Sequence, residues 1–398
     1  MNNHPTSCDV LVIGGGVMGS AIAYHLALMS GRKTRVIVIE RDPTHEYSST
    51  ALSAASIRMQ FSNRINVEIS KFGGDFIRDF PSLFSDAREN RDLAFREDGY
   101  LFLAGNEAQA ETLRANCEIQ RAGGADTRLL EPDALRQRFA FLNLTDITLG
   151  ALGARGEGWF DNMGLLSGFR ALARDRGVCF LHDEVVGLQQ RRRGAITFAE
   201  LASGGRISAG TVVNAAGTRA RRVARFVGID LPVEPRKRTT FAFRTQNAGP
   251  ARSPLIVDNR GVYFRPEGNG WIAACQPEVD PAVALDDFEP RYHEFDDVIW
   301  PRLAHRSELF EAIRMQNAWA GHYAYNTLDQ NAIIGRHRDV ENLVFANGFS
   351  GHGLQQSPAV GRGVAELVLF GRFKSLDLSD LGPGRIIEAQ PFREFNIV

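Results

Sequence analysis

The chain has 398 residues, of which 44% are hydrophobic and 23% charged, and its formal net charge is −1. That profile fits a globular protein with chain enough for two or three domain-sized units and a large core. Near-neutral charge argues against nucleic acid as a main partner, and the absence of any run of 18 apolar residues excludes a transmembrane helix.

The stretch "DVLVIGGGVMGSAIAYHLALMSG" reads as strand, turn and helix. Val10 to Ile13 form a continuous apolar run, as a strand covered on both faces should. Gly14, Gly16 and Gly19 make G-x-G-x-x-G, and the helical pattern that follows runs toward Gly31, a C-terminal cap. A second apolar strand, "RVIVIE", ends in Glu40, 21 residues after Gly19. Strand, helix, second strand and acid together predict a dinucleotide site. Gly14 permits the tight turn, Gly16 lets backbone reach a pyrophosphate, and Gly19 lets helix and strand pack closely. The helix N-terminus offers N–H donors and a positive dipole to the phosphates. Glu40 favours a free ribose 2′-OH, hence FAD or NAD. The strand expected within ten residues of Met1 leaves no room for a leader peptide, so a cytoplasmic location is expected.

Residues 73 to 149 alternate helices and short strands, with Glu131-Pro132-Asp133 opening one helix. "GVCFLHDEVVGLQQ" reads as two short strands, and a further buried strand ends in "NAAG", Asn214 to Gly217. "RARRVAR" is expected to be a solvated helix face. "GVYFRPEGNGWIAACQPE" predicts a hairpin turning at Gly268-Asn269-Gly270. The stretch from Asp286 to Gly321 is expected to be mainly helix, broken at Pro301. The four cysteines (Cys8, Cys117, Cys179, Cys275) have no CxxC or metal-ligand spacing, which predicts reduced thiols and no metal site. No repeat or low-complexity linker divides the chain, so interleaved domains are expected.

Near the other end, "NGFSGHGLQQSPAVGRGVAEL" is a second glycine-rich loop leading into a helix. Ser357-Pro358 reads as an N-cap with Pro at the first helical position, which sets the helix start there.

Three landmarks thus occur in one order: GGGVMGS with Glu40, then VVNAAG, then GFSGHG before a last helix. The set resembles the D-amino acid oxidase superfamily of FAD enzymes, which includes sarcosine oxidase, glycine oxidase and dimethylglycine dehydrogenase, and it spans nearly the whole chain. The stretch from "WAGHYAYNTLDQNAIIG" to "LDLS" is similar to the mitochondrial FAD-dependent oxidoreductase domain-containing proteins. The resemblance implies an α/β fold: a Rossmann-like, glutathione reductase-like FAD-binding domain interleaved with an α+β substrate domain on a mainly antiparallel sheet. The expected FAD domain takes residues 1–90, 150–225 and 321–398, and the substrate domain 91–149 and 226–320.

The same resemblance implies the cofactor contacts. At the N-terminal end these are Gly14, Gly16, Val17, Met18, Gly19, Glu40 and Arg41. Ser49, Ser53 and Ala54 come from a strip similar to the family's segment beside the flavin. Val185, Ala215, Ala216 and Gly217 follow from the middle strands. The C-terminal loop adds Gly348, Ser350, Gly351, His352, Gly353, Leu354 and Gln355, placed to wrap the isoalloxazine ring. Arg58, in "SIRMQFS", falls close to the carboxylate-binding arginine of sarcosine oxidase. Tyr263 matches a pocket tyrosine, and His352 lies near the ring; with Arg58 they are the expected catalytic residues. Arg58, Tyr263, His322 and Gln355 are the expected substrate contacts, with Tyr325 a weaker one. Gln355 stands where sarcosine oxidase has a lysine, and His322 stands near its covalent flavin cysteine, so noncovalent FAD is expected. The implied reaction is oxidation of the C–N bond of a secondary amine or N-substituted amino acid, with O2 or another carrier as electron acceptor. One alternative is a non-catalytic FAD-binding scaffold protein. Another, an NAD-dependent dehydrogenase, rests on the N-terminal motif alone. Exact substrate, acceptor and oligomeric state carry no sequence signature here.

Overall fold

A computed structural model describes residues 5–84, 91–191 and 194–396. The expected boundary at residue 90 lies outside the described residues. Two sheets of eight described strands each organise the chain. In the first, Ser7–Ile13 pairs in parallel with Val36–Glu40 on one side and Arg206–Asn214 on the other. Cys179–His182 and Leu343–Asn347 extend the parallel order outward, and Ile333–Arg336 closes one edge antiparallel. The inner halves of the central strands are apolar because both faces are covered: helices Val17–Met29 and Gly353–Phe370 lie on one, and strands Val185–Gln190 and Ile196–Leu201 with the short helix Ala220–Arg225 lie on the other. The helix Val17–Met29 is buried over nearly its whole length. It packs on the helix Gly353–Phe370 so closely that a Cβ at Gly361 would lie 2.8 Å from Ala21 Cβ. Small residues at that crossing bring the first and last glycine-rich loops to the same end of the sheet.

The second sheet runs Ile313–Asn326, Val233–Thr245, Gly270–Cys275, Val262–Glu267, Leu255–Val257, Tyr100–Ala104, Leu149–Gly153, Thr127–Leu130. Every neighbouring pair is antiparallel except Leu255–Val257 with Tyr100–Ala104. One face packs Phe243, Phe264 and Trp271 edge-on around Phe310, with ring centroids 5.0 to 5.9 Å apart. The fold is therefore the expected α/β dinucleotide sheet joined to a mainly antiparallel second sheet. The expected boundaries at 150 and 321 fall within the strands Leu149–Gly153 and Ile313–Asn326. A division that keeps each sheet whole is proposed instead, with cuts after Gly153 and Asn326. No described helix is long and apolar enough to cross a membrane.

Two local expectations are corrected. The stretch from Asp286 is not mainly helix: a π turn, Phe295–Ile299, and one short helix, Trp300–Arg306, precede the long strand Ile313–Asn326. Pro301 follows directly on the π turn within a continuous helical run, so it does not break the helix as expected. The strand pairs with Val233–Thr245 over its full length, and that tertiary pairing overrides local propensity. The last helix begins at Gly353, four residues before Ser357. Pro358 lies inside it, and the Leu354 carbonyl that Pro358 leaves unpaired accepts from Ser357 Oγ at 2.9 Å. Ser357 repairs the helix instead of capping it.

Candidate active site

Both glycine-rich loops line one cavity of about 1060 Å³. At its first end, Gly14 has φ +103°, and a Cβ there would meet the Ala215 carbonyl oxygen at 2.5 Å. A Cβ at Gly19 would lie 1.9 Å from the Gly14 oxygen. Gly16 differs: its Cβ would meet only Thr50 Oγ1, at 3.6 Å, so the side of Gly16 turned to the cavity is clear of protein. The helix that starts here has no acidic residue in its first turn, and among its first N–H groups Val17 N donates to Thr50 Oγ1 at 3.3 Å. Glu40 closes the turn by accepting from Gly15 N at 2.7 Å and from Asp42 N at 2.8 Å. An extended dinucleotide fits this arrangement: a bare glycine, a helix N-terminus and an acid at the second strand's end border one continuous space.

At the other end, the loop 348–352 lies against the second sheet. Gly351 has φ +98°, and a Cβ there would sit 2.6 Å from the Tyr323 ring. The N–H groups of Gly353, Leu354 and Gln355 precede the first intrahelical bond, from Gln356 N to the His352 oxygen, and these three residues line the cavity. They are the donors a ring with carbonyl oxygens requires.

Arg58 is buried in the cavity wall. Its guanidinium donates to the carbonyls of Gln60 and Asn396 and meets His352 Nε2 at 2.9 Å. Phe61 lies under it, 4.2 Å from the ring centroid. Arginine only donates, so His352 Nε2 is the acceptor and its ring proton belongs on Nδ1. Burial, reinforced by the Arg58 charge, pulls the His352 pKa well below its usual value, so the imidazole is neutral. Tyr100, Tyr263, Tyr323, Arg238 and Thr240 complete this end. Burial pushes the Tyr100 phenol up to about 12. Burial, then the neighbouring Tyr323 and Tyr100, hold Tyr263 well above the usual phenol value, so both phenols stay neutral. Arg238 is committed to Asp280 by two bonds of 2.7 and 2.8 Å.

The cavity brings together most of the residues expected from sequence: Gly14, Gly16, Val17, Met18, Glu40, Arg41, Ser49, Ser53, Ala54, Arg58, Val185, Ala215, Ala216, Gly217, Tyr263, His322, Gly351, His352, Gly353, Leu354 and Gln355. Gly19, Gly348 and Ser350 shape the wall from behind without lining it. Ser350 Oγ accepts from Asn326 N at 3.0 Å. The Gln355 carboxamide accepts from Arg58 N at 2.7 Å, which makes it a support for Arg58. His322 Nε2 donates to the Asp287 carbonyl at 2.7 Å, and its ring stacks on Phe288. Tyr325 does not line the cavity; Arg236 lies over its ring. Sequence reasoning missed Thr50, Tyr100, Arg238, Thr240 and Tyr323. Strand alternation was the available signal for Arg238 and Thr240, which share parity on Val233–Thr245.

Behind Arg58, Glu157 is buried and accepts from Met59 N and Gln60 Nε2, each at 3.0 Å. Burial raises its pKa to about 7 against the pull of those bonds and of Arg58. A raised folded-state pKa means that the fold favours the protonated acid. This contribution is complete below the unfolded value near 4.5 and is lost as pH rises to about 7. The melting temperature of Glu157→Gln, relative to wild type, should therefore rise between pH 5 and pH 8. An offset that is the same at both pH values would rule this out.

A model of the FAD dependent oxidoreductase (DAO) family matches residues 9–367. FAD-dependent oxidoreductase domain-containing protein 1 of Xenopus laevis is 39% identical over 427 aligned positions, covering 99% of this chain and 85% of that protein. Mitochondrial dimethylglycine dehydrogenase of Mus musculus is 25% identical, covering 95% of this chain and 44% of that protein. Among solved structures, L-proline dehydrogenase from P. horikoshii superposes with a TM-score of 0.86 at 26% identity, covering 98% of this chain and all of that one, 100%. Iminodiacetate oxidase from Chelativorans sp. BNC1 shares the fold, with a TM-score of 0.76 at 20% identity over 94% of this chain and 98% of that one.

Proposed function

This chain belongs to the FAD dependent oxidoreductase (DAO) family, and from that premise we propose that it oxidises the C–N bond of a secondary amine carrying a carboxylate, such as an N-alkyl amino acid or an imino diacid. One observation carries the substrate class. Arg58 is 2% exposed, and no described carboxylate forms an ion pair with it. A buried cation is costly; Glu394 and Glu157 attract it only from beyond ion-pair distance and burial still dominates, so a substrate carboxylate in direct contact would offset that cost with charge-assisted hydrogen bonds. The similar proteins named for dimethylglycine and iminodiacetate fit this class.

Bound FAD supplies the acceptor for the hydride that leaves the carbon beside nitrogen. The glycine turn at residues 14–16 and the start of the first helix would hold its phosphates. The first-turn N–H groups of Gly353–Phe370 would stabilise negative charge on its ring. Arg58 orients the substrate by its carboxylate, and the neutral phenols of Tyr100 and Tyr263 border the amine. His352 has no free Nε2 lone pair, so it holds Arg58 rather than taking a proton. The amine therefore reacts in its neutral form, losing hydride from carbon and a proton from nitrogen. Water then hydrolyses the imine. The proposed electron acceptor is O2, giving hydrogen peroxide, or another carrier.

The test is anaerobic bleaching of the flavin near about 450 nm, a property of the cofactor itself, across a panel of amines. Carboxylated secondary amines should bleach it fastest. Stoichiometric flavin that no amine bleaches would instead support a scaffold role.

The FAD should also be noncovalent. No cysteine lines the cavity among the described residues, and His322 Nε2 is engaged by a backbone carbonyl. Acid precipitation should release all the flavin. Colour kept in the washed pellet would reveal a covalent link.

A further inference from the structure

The reading of Arg58 as the carboxylate anchor leaves its own support to be explained. The guanidinium is gripped by a stretch far away in sequence, residues 391–396, which crosses over residues 60–66. Glu394 is fully buried, and every contact of its carboxylate is a donor from this crossing. Its Oε1 accepts from Ser62 N at 2.7 Å, Ser62 Oγ at 2.6 Å and Asn396 N at 3.0 Å. Its Oε2 accepts from Asn63 N at 3.2 Å and Asn66 Nδ2 at 3.0 Å. No described cation pairs with Glu394, so five neutral donors hold the charge. Such a group is fixed in place because leaving any donor unpaired is expensive.

The same stretch is tied at its other end to the loop after Ile313–Asn326. Phe392 N donates to Asp329 Oδ2 and Glu394 N to the Asp329 carbonyl, each at 3.0 Å. Asp329 is itself buried against Arg385, 2.6 Å away. Between these anchors, Asn396 makes two contacts with the site. Its Nδ2 donates to the Gln60 carbonyl at 2.7 Å, and its carbonyl accepts from Arg58. The Gln60 carbonyl also accepts from Arg58. The two carbonyls that fix the guanidinium are thus both set by the strap, one by belonging to it and one by being bonded to it.

We propose that residues 391–396 form a strap that positions Arg58 and thereby sets the preference for carboxylated substrates, with Glu394 and Asn396 as its positioning residues. The strap acts through Arg58, so this inference rests on the functional reading above. A guanidinium has five N–H donors, and described protein acceptors use three. The strap decides which way the remainder points. Without it, the side chain loses one acceptor and the rigid backing of another, and its remaining N–H groups are no longer held toward a carboxylate.

The test compares flavin reduction in the holoenzyme by a carboxylated secondary amine and by a matched amine lacking the carboxylate. The variants are Glu394→Ala, Asn396→Ala and Arg58→Ala. Glu394→Ala should raise the half-saturating concentration of the carboxylated amine by about 10-fold or more, since small misplacement of a binding group has effects of that order. Its limiting rate should change less than about threefold, and the uncarboxylated amine should be nearly indifferent on the same argument. Asn396→Ala, which removes one surface-side bond and leaves Glu394 in place, should act in the same direction by about threefold. If Arg58→Ala abolishes the carboxylate preference while neither strap variant moves it, the strap proposal is wrong and the Arg58 reading stands. If Arg58→Ala leaves the preference intact, both fall together. Should Glu394→Ala fold poorly or slow both amines equally, an unchanged preference in Asn396→Ala reduces the strap to a structural brace and overturns the proposal.

Discussion

Gly16→Val should leave the apoprotein folded and weaken FAD binding by roughly 5- to 150-fold, from an overpacking cost of about 1–3 kcal/mol against a bound phosphate. The three glycines of the motif are not equivalent, and that makes the experiment clean. Gly14 needs its positive φ and abuts Ala215, and Gly19 abuts Gly14, so side chains there break the fold itself. Gly16 has φ −62° and ψ −174°, which valine adopts freely. Its nearest protein atom to an added Cβ is 3.6 Å away. The valine methyls therefore enter the cavity and not the core. Apoprotein melting should shift by no more than a few degrees, as for a substitution without a buried clash. The stabilisation that added FAD confers should shrink with the affinity. Gly16→Ala should fall between wild type and Gly16→Val. A valine variant that titrates with FAD at wild-type affinity would mean that the phosphates do not pass Gly16.

The motif around Gly16 was legible because everything that defines it lies within one βαβ unit. Strand period, turn glycines, helix start and Glu40 are local, and local physics builds them. The glycines of the loop 348–353 were legible for the same reason. The start of the helix behind them was not. Ser-Pro is a start signal only when the preceding carbonyls have no other use for the serine, and here Ser357 Oγ takes the carbonyl that Pro358 cannot serve. Ile313–Asn326 was misread because its strand character comes from thirteen partner positions on Val233–Thr245, which no window of sequence contains. The far end of the site was the least legible. Tyr100, Arg238, Tyr263 and Tyr323 meet because separate strands of the second sheet share one face. Glu157 and Glu394 hold the residues just after Arg58, Met59 and Ser62, from about a hundred and more than three hundred residues away. Arg58 itself was marked by resemblance alone; nothing in "SIRMQFS" announces a buried guanidinium.

Arg58→Ala should lower the rate of flavin reduction per molar carboxylated substrate by about 30-fold or more. A buried guanidinium facing a desolvated carboxylate is worth about 2–5 kcal/mol when one partner is deleted. The structure sharpens the expectation in two ways. The cation is already desolvated and no described carboxylate lies within ion-pair distance of it, Glu394 and Glu157 acting from further off, so much of its desolvation has been met in folding. His352, Gln60 and Asn396 hold three of its five N–H groups, so the guanidinium is preorganised before the substrate arrives. Arg58→Lys should recover only part of the loss, because an ammonium cannot reproduce a planar fork held at three points. Deleting the guanidinium also frees His352 Nε2, which lifts the repulsion that helps to keep the imidazole neutral. The His352 pKa should therefore rise in Arg58→Ala while burial still holds it below the ordinary value. A histidine ring titration followed by NMR checks that shift independently of turnover. A matched amine without the carboxylate should react slowly with wild type and be almost indifferent to the substitution. Equal losses for both amines would make Arg58 a support for the flavin or the fold, and no loss for either would place the carboxylate anchor elsewhere in the cavity.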